Sequence, residues 1–546
     1  MKSKILSLLL VVAIFFASCK KDELTETPKD FYSVSNAYVT ASDFQTAVNW
    51  LYSETRTNFK PEGSGAGFEA FFMGTDMCRN AIEDNWTLND YSTVTPFNGP
   101  GLNQWRMWYK LIADANVIIS NIHKAIFNNT QKNELEAEAK FFRAFGYRIL
   151  VDLFGGVPID TIVNPSPRRD YVRATSDEVL ALCASDLEFA AANLYDVPQS
   201  IDGQVNKVTA NHLLSEIYIS LKKWDKAIAA ASAAINNPSM HLMTSRFGVK
   251  ISEPGDVVSD LFRYGNYNKS EGNTEGVFVL QFQYHNAGSL VTDYGWGGNW
   301  MQGFTQSFYT SATLPDGKAA FPNALEGLGG QGIGWLKPTP HASTFVFKSS
   351  PGDLRNSQYN IIYDAKVTNT ASTYFGKYLV ADNLLQPQDT SRNWYPNYLK
   401  TTRWNDFLPE NYVNGVLQFH VSTNKPVYVF RLAETYLLRA EAYLGKGDVA
   451  SAANDINVVR ARANATPVSP SKVDIDYILD ERLRELAFEE LRALTLGRLG
   501  LRFDRVKRYN TLSAKTIEQK NNLWPIPYSE IEANNRAKIE QNPGYN

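Results

Sequence analysis

Two stretches of this chain set aromatic rings beside hydrogen-bonding side chains without the periodicity of a helix or strand. The first is Asp293-Tyr294-Gly295-Trp296-Gly297-Gly298-Asn299-Trp300. Three glycines in eight residues forbid a stable helix. The rings of Tyr294, Trp296 and Trp300 must therefore either plug a local core or face a ligand. The second stretch holds Arg79, Asn80, Asp84, Asn85, Trp86 and Tyr91. Such a set suits noncovalent capture of a polyhydroxy ring. A pyranose presents a flat patch of C–H groups that packs on an aromatic face. Its hydroxyls need amide, carboxylate or guanidinium partners, because a buried unpaired hydroxyl costs about 1–3 kcal/mol. Asp293 and Asn299 stand beside the first set of rings, and Arg79 and Asn85 beside Trp86.

Bond-making chemistry finds less support. Gly327-Leu328-Gly329-Gly330-Gln331-Gly332 has the spacing G-x-G-x-x-G. A dinucleotide site needs a strand before that motif and a helix after it. Here AFPNALE precedes and IGWLKPTP follows, with Pro338 and Pro340 opposing a helix, so a loop is the reading. The chain has neither an H-E-x-x-H zinc site nor a G-x-S-x-G elbow. Its six histidines are scattered, and no pair of carboxylates stands out as a glycosidase couple. The expectation is no catalytic residue, no metal and no cofactor. A surface glycoside hydrolase or peptidase on a helical scaffold is the alternative. A net charge of −3 leaves no electrostatic case for nucleic acid.

The elements that must position these loops read as helices. Tyr428 to Ala463 reads as two helices joined by a tight turn. Leu432, Tyr436, Leu437, Ala440, Tyr443 and Leu444 recur at spacings of three and four, one apolar stripe. Gly445-Lys446-Gly447-Asp448 breaks the helix, with glycine as the stop and Asp448 as the next cap. Ala453, Ile456 and Val459 form the second stripe. The unit has the length and large–small rhythm of a tetratricopeptide (TPR) repeat. A second hairpin is expected from Thr209 to Asn236, turning at Lys222-Lys223-Trp224-Asp225. Further helices are expected at 42–57, 104–127 and 134–153, the last stopped by Gly155-Gly156. Another begins at a Ser176 cap, with Leu180, Cys183 and Leu187 facing inward. The segment Ile478 to Leu499 reads as one helix, its Glu and Arg residues forming i,i+4 ion pairs. From about Pro238 to Lys425 the helical rhythm fails, apart from an alternating strand at Glu275 to Tyr284. So long a loop-rich segment is functional or disordered, and its many aromatics argue against disorder. The tail, LWPIPYSEIEANNRAKIEQNPGYN, reads as an ordered strap.

Residues 1–18 read as a secretory signal, with Lys2 and Lys4 before an apolar run from Ile5 to Phe16. That run is too short for a permanent span. Ser18-Cys19 resembles the lipobox of a bacterial lipoprotein, though Phe16 stands where Leu is usual. Lipidation of Cys19 would be the membrane attachment, and Lys20-Lys21-Asp22-Glu23 resembles an outer-surface sorting tract. Residues 19–36 would be the tether. Cys78 and Cys183 then remain, with a disulfide between them left open.

Four motifs in this order resemble the SusD/RagB family of lipoproteins: EAEAKFFRAFGYRILVDLFGGVPI (136–159), RLAETYLLRAEAYLGKGDVASAANDINVVRARA (431–463), DERLRELAFEELR (480–492) and LWPIPYSEIEAN…QNPGY (523–545). The resemblance implies a mainly α fold, a single domain over 37–546. TPR-like hairpins in 37–237 and 426–546 would form a scaffold, and the loop-rich 238–425, with minor β, would face the ligand. It implies a non-enzymatic, lipid-anchored protein on the extracellular face of the outer membrane. Such a protein binds oligosaccharide, or in some relatives peptide, and serves as the lid of a SusC-like TonB-dependent transporter. The site expected on these grounds comprises Trp296, Trp300, Tyr294, Trp86, Asn299, Asp293, Arg79 and Asn85.

Overall fold

A computed structural model describes residues 37–59, 67–82, 86–164, 166–282, 301–418 and 424–545. The fold is mainly α. Helices α1 (Ala41–Asn58), α2 (Gly101–Asn121), α3 (Asn129–Phe154), α4 (Ser176–Asn193), α5 (Lys207–Ser220) and α6 (Trp224–Ile235) each pack on the next. The chain then departs for nearly two hundred residues. It re-enters the array at α10 (Leu432–Lys446), which packs directly on α6, and α11 (Val449–Arg462) follows. Arg439 on α10 clamps both neighbours, bonding Ser232 of α6 at 3.0 Å and the Asp455 carboxylate of α11 at 2.7 and 2.8 Å.

The hairpins form for the reasons the spacing predicts. On α1, Phe44, Val48 and Leu51 are fully buried, and Thr40 with Asp43 makes a reciprocal cap. Helix α10 stops where Gly447 adopts φ +89°, and Asp448 accepts the Ser451 N–H to start α11. Gly445 has a different task inside α10. A Cβ there would lie 2.7 Å from the Trp224 ring, so glycine lets α6 seat against α10. Small differences concern the ends. Thr175, not Ser176, caps α4, with Glu178 completing the box. Trp224 and Asp225 open α6 rather than sit in the turn, because Lys222 takes up the reversal at φ +55°.

Two expectations are corrected outright. Tyr428 to Arg431 is not helix but strand β8 (Val427–Arg431), paired antiparallel with β2 (Gly276–Leu280). Its apolar side chains meet the helices: Phe430 lies 6.1 Å from Phe145 and 4.2 Å from the His212 ring. The Glu/Arg-rich segment is not one helix. Helix α12 (Ile475–Leu486) ends, Phe488 turns the chain at φ +61°, and α13 (Arg492–Arg498) and α14 (Arg502–Tyr509) follow. Its charges are buried and joined between elements. Glu481 meets Arg355 at 2.7 Å and Arg460 at 2.6 Å; Glu485 meets Arg431 at 3.0 Å, Arg355 at 3.2 Å and Arg462. Burial alone would raise the Glu485 pKa, but Arg462, Arg431 and Arg355 outweigh it and hold it far below the usual carboxylate range.

The intervening segment is neither helical nor bare loop. It contains α7 (Val257–Asp260), α8 (Met301–Thr305) and α9 (Pro340–Ser343). Besides β2–β8, the described residues form three small antiparallel ladders: β1 (Cys78–Asn80) with β3 (Leu336–Pro338), β4 (Ile361–Ile362) with β5 (Asn397–Tyr398), and β6 (Tyr412–Val413) with β7 (Val416–Leu417). A separate apolar cluster steadies it, in which Phe321 and Trp394 stack at 5.9 Å. The G-x-G-x-x-G run is a packed loop: Gly329 lies against Thr402 and Gly332 against Gln306. The tail is the expected strap, with α15 (Tyr528–Ala533); Asn542 ties it to the carbonyls of Phe154 and Trp524. Cys78 and Cys183 are separate buried thiols, not a disulfide.

Candidate functional site

Of the expected site residues, Trp86 and Arg79 fall within the described structure. Asn85, Asp293, Tyr294, Trp296, Asn299 and Trp300 lie outside the described residues. What the structure supplies is the frame on which those stretches begin and end.

The frame is the β1–β3 ladder. Register pairs Cys78 with Pro338, Arg79 with Lys337 and Asn80 with Leu336. Directly paired residues share a face. Cys78, Asn80 and Leu336 are buried, so Arg79 and Lys337 stand together on the outer, partly exposed face. Burial and the Arg79 charge push the Lys337 ammonium down to about 8. Its Nζ donates to the Thr390 carbonyl, and Arg79 Nη1 donates to the Asn80 carbonyl at 3.1 Å.

One residue beyond each strand the ladder carries on, with the Ala81 N–H donating to the Trp335 carbonyl at 2.8 Å. Trp335 is half-buried, as is Trp86, and their ring centres lie 6.2 Å apart at 53°. Behind Trp335, the buried Phe304 of α8 packs edge-on at 4.8 Å. The Trp335 N–H also donates to the Phe304 carbonyl at 3.0 Å. Trp86 is held from its own side: its carbonyl accepts the N–H groups of Asn89 at 2.9 Å and Asp90 at 3.0 Å. The Trp86 indole N–H is enclosed and has no hydrogen-bond partner among the described residues. The result is a step of two partly buried tryptophans, packed against the core from behind, beside two cations. The chain re-enters the described structure at Met301, one residue after Trp300, and Phe304 follows three residues later.

Asn80 and Tyr91, the other described members of the early cluster, serve structure. The Tyr91 hydroxyl donates to the buried Gly74 carbonyl at 2.8 Å. The Asn89 side chain holds the Asn80 backbone, its Oδ1 accepting the Asn80 N–H and its Nδ2 donating to the Asn80 carbonyl, both at 2.9 Å. Trp335, Phe304 and Lys337 were not singled out from sequence. Trp335 did carry a signal, standing between Gly334 and Leu336 in a glycine-rich run much like that around Trp296.

Among the described residues no three His, Cys, Asp or Glu side chains form a metal-sized group. No described helix is long and apolar enough to cross a membrane. Aromatic rings beside a guanidinium and an ammonium group suit stacking and hydrogen bonding of a ligand on the tryptophan step.

A family model described as "SusD family" matches residues 261–545, and one described as "Starch-binding associating with outer membrane" matches residues 30–219. The chain is 26% identical to SusD-like protein P25 of Formosa agariphila, over 97% of both chains. It is 37% identical to the starch-binding protein SusD of Bacteroides thetaiotaomicron over 122 residues, 21% of each. Among solved structures, a laminarin binding SusD-like protein superposes with a TM-score of 0.67 at 22% identity, over 93% of this chain and 100% of that one. The surface glycan-binding protein A from Bacteroides fluxus gives 0.66 at 19% identity, with the same coverage. These last two establish a shared fold. With a family model spanning more than half its length, its TPR-like array and its strapped tail, the chain belongs to the SusD family.

Proposed function

We propose that this protein is a lipid-anchored receptor on the outer face of the outer membrane. It binds nutrient oligosaccharides non-enzymatically and passes them to a SusC-like TonB-dependent transporter. The observation that carries the reading is the Trp86–Trp335 step: two partly buried tryptophans with ring centres 6.2 Å apart, braced by Phe304 and flanked by Arg79 and Lys337. Aromatic faces take the C–H patches of sugar rings, and guanidinium and ammonium groups take their hydroxyls. Membership of a family with a starch-binding, outer-membrane description supports the ligand class and the location. The names of the glycan-binding and laminarin-binding neighbours agree with it. In this reading residues 37–237 and 426–546 are scaffold, and residues 238–425 bring Trp296, Trp300, Tyr294, Asp293 and Asn299 to the step.

The test is a panel of soluble polysaccharides and their oligosaccharides incubated with the purified protein and scored for both binding and depletion. Binding without depletion is expected, and depletion would replace the receptor by a hydrolase. Detergent pull-down of the lipidated protein, from cells grown on the bound glycan, should recover a large TonB-dependent barrel. A clean preparation without one would remove the transporter from the reading.

A further inference from the structure

Leu88 stands two residues after Trp86 in a backbone conformation that its side chain disfavours. Its φ is +67°, in the left-handed region, where Cβ crowds the following carbonyl oxygen. Asn383 and Asn414 also take that region, helped by the local bonding of a short polar side chain. Leu88 has no such help, and it is 1% exposed. A residue strained in this way persists only where its surroundings over-determine it.

One side of those surroundings is Gly74, itself at φ +69°. A Cβ there would lie 2.5 Å from the Leu88 carbonyl oxygen and 2.7 Å from the Leu88 Cβ, so only glycine lets the two backbones meet. The Tyr91 hydroxyl closes this side by donating to the Gly74 carbonyl at 2.8 Å.

The other side is the segment that follows α14, more than four hundred residues on. Ser513 Oγ donates to the Leu88 carbonyl at 2.9 Å. Thr516 Oγ1 accepts the Tyr91 N–H at 2.9 Å, and its hydroxyl bonds the Asp90 carboxylate. Asn510 Nδ2 donates to the Thr75 carbonyl at 2.8 Å and to the Cys78 carbonyl at 3.3 Å, while its Oδ1 accepts the Ser513 N–H at 3.3 Å. Asn510 and Ser513 are buried. These side chains therefore grip the backbone on both flanks of Trp86: the start of β1 before it, and the turn after it. The turn is closed on itself, since the Trp86 carbonyl accepts the Asn89 and Asp90 N–H groups, and Leu88 lies inside it. Release of Leu88 from positive φ would redirect the chain at the base of Trp86. None of the three gripping residues hydrogen-bonds the Trp86 indole, whose N–H has no partner among the described residues.

We propose that Leu88 and the Ser513–Thr516 clamp are positioning residues for ligand binding: they hold the turn after Trp86 in the one course that sets its ring beside Trp335, so that the step is ordered before a sugar arrives. The proposal rests on the tryptophan step being the ligand surface and assigns what fixes its first ring. Order established in the free protein need not be created on binding, and that raises affinity without adding a contact.

The experiment uses the purified mature protein with 15N-labelled tryptophan, the Trp86 indole signal being assigned by its absence from Trp86→Phe. In the free wild type that signal should be single and sharp, and its enclosed proton should exchange slowly. Ser513→Ala should broaden or split it and speed the exchange, while the signals of the fully buried Trp108 and Trp524 stay in place. Thr516, only partly buried, supplies a second and milder variant. Thr516→Val should act in the same direction, and Thr516→Ser, which keeps the hydroxyl, should recover the wild-type signal. By calorimetry with the oligosaccharide found by the panel, Ser513→Ala should weaken binding roughly threefold to tenfold, the ordering cost of one side chain. In a Trp86→Ala background it should weaken binding no further, because the ring it positions is gone. The proposal is overturned if the Trp86 signal is already broad in the wild type. It is overturned equally if Ser513→Ala and Thr516→Val lower the melting temperature and leave that signal unmoved, or if Ser513→Ala costs the same affinity with and without Trp86. The NMR arm is read without ligand, so the two readings fail in different ways: the receptor by binding no glycan, the clamp by an unmoved Trp86 signal.

Discussion

Asp76 joins the loop that leads into β1 to helices more than four hundred residues away, and replacing it tests how the site is held. Its Oδ1 accepts from Arg492 Nε at 2.8 Å; its Oδ2 accepts from Arg492 Nη2 at 2.7 Å and from Arg505 Nε at 2.8 Å. All three side chains are buried. Burial alone would raise the Asp76 pKa, but the Arg492 and Arg505 charges overcome it and hold the carboxyl far below its ordinary range. The substitution to make is Asp76→Asn, which keeps the shape and removes the charge. Breaking a buried pair from one side costs about 3–5 kcal/mol, because the abandoned charge stays in the interior. Here Arg492 keeps Glu490 at 3.3 Å and Arg505 keeps Asp480 at 2.5 Å. The low end, about 3 kcal/mol, is therefore expected. The assay is urea denaturation followed by tryptophan fluorescence. The exposed pair Lys446–Asp225 serves as the control, where Asp225→Asn should not shift the midpoint measurably. The sign with pH follows from the depressed pKa. The Asp76 contribution is fully present above the unfolded value near 3.9 and fades as pH falls below it. The wild-type and variant curves should thus converge in strong acid. A loss below about 1 kcal/mol at neutral pH, the range of surface pairs, would refute the reasoning.

Gly445→Ala should destabilise the protein by about 1–3 kcal/mol, since the new methyl meets the Trp224 ring. A gain, the usual result of putting alanine for glycine inside a helix, would show that α6 and α10 do not touch as described. His212 is fully buried, its Nδ1 2.8 Å from the Thr435 hydroxyl, and burial pulls its pKa down to about 3. Its neutral ring therefore favours the folded state fully above the unfolded value near 6.5, and that stability is lost as pH falls toward 3. By NMR the His212 ring should show no titration between pH 5 and 8, and a midpoint near 6.5 would contradict its burial. Cys19→Ala should release a folded, soluble protein, and continued partition with membranes in a strain lacking the transporter would exclude lipid as the anchor.

The helical array was legible because its information is local. Phe44, Val48 and Leu51, or Leu432, Leu437 and Ala440, announce their face by spacing alone, and Gly447 and Asp448 announce the turn. Strand β8 was not legible. Tyr428-Val429-Phe430 is a short apolar run ahead of a strong helix, and periodicity cannot assign so short a run. Its partner β2 lies about 150 residues earlier. The charges of α12 misled for a related reason. Glu481, Arg482 and Glu485 look like members of i,i+4 pairs along one helix until Arg355, Arg431, Arg460 and Arg462 arrive from other elements to pair with the two glutamates inside, and Glu434 and Glu490 with Arg482. At the site, sequence picked out Trp86 and Arg79 by their company. It could not supply Trp335 and Lys337, which reach them only through the β1–β3 register some 250 residues later.

The central claim is that the Trp86–Trp335 step is a sugar-binding surface rather than part of the core. The direct measurement is calorimetric titration of wild-type, Trp86→Ala and Trp335→Ala proteins with the oligosaccharide that the panel identifies, alongside their melting curves. Stacking on one ring is worth about 1–3 kcal/mol, by analogy with bases on aromatic side chains. Each variant should therefore bind roughly tenfold or more weakly while remaining folded at the titration temperature. Unchanged affinity in the folded protein, with a melting temperature lowered as for a core tryptophan, would contradict the account.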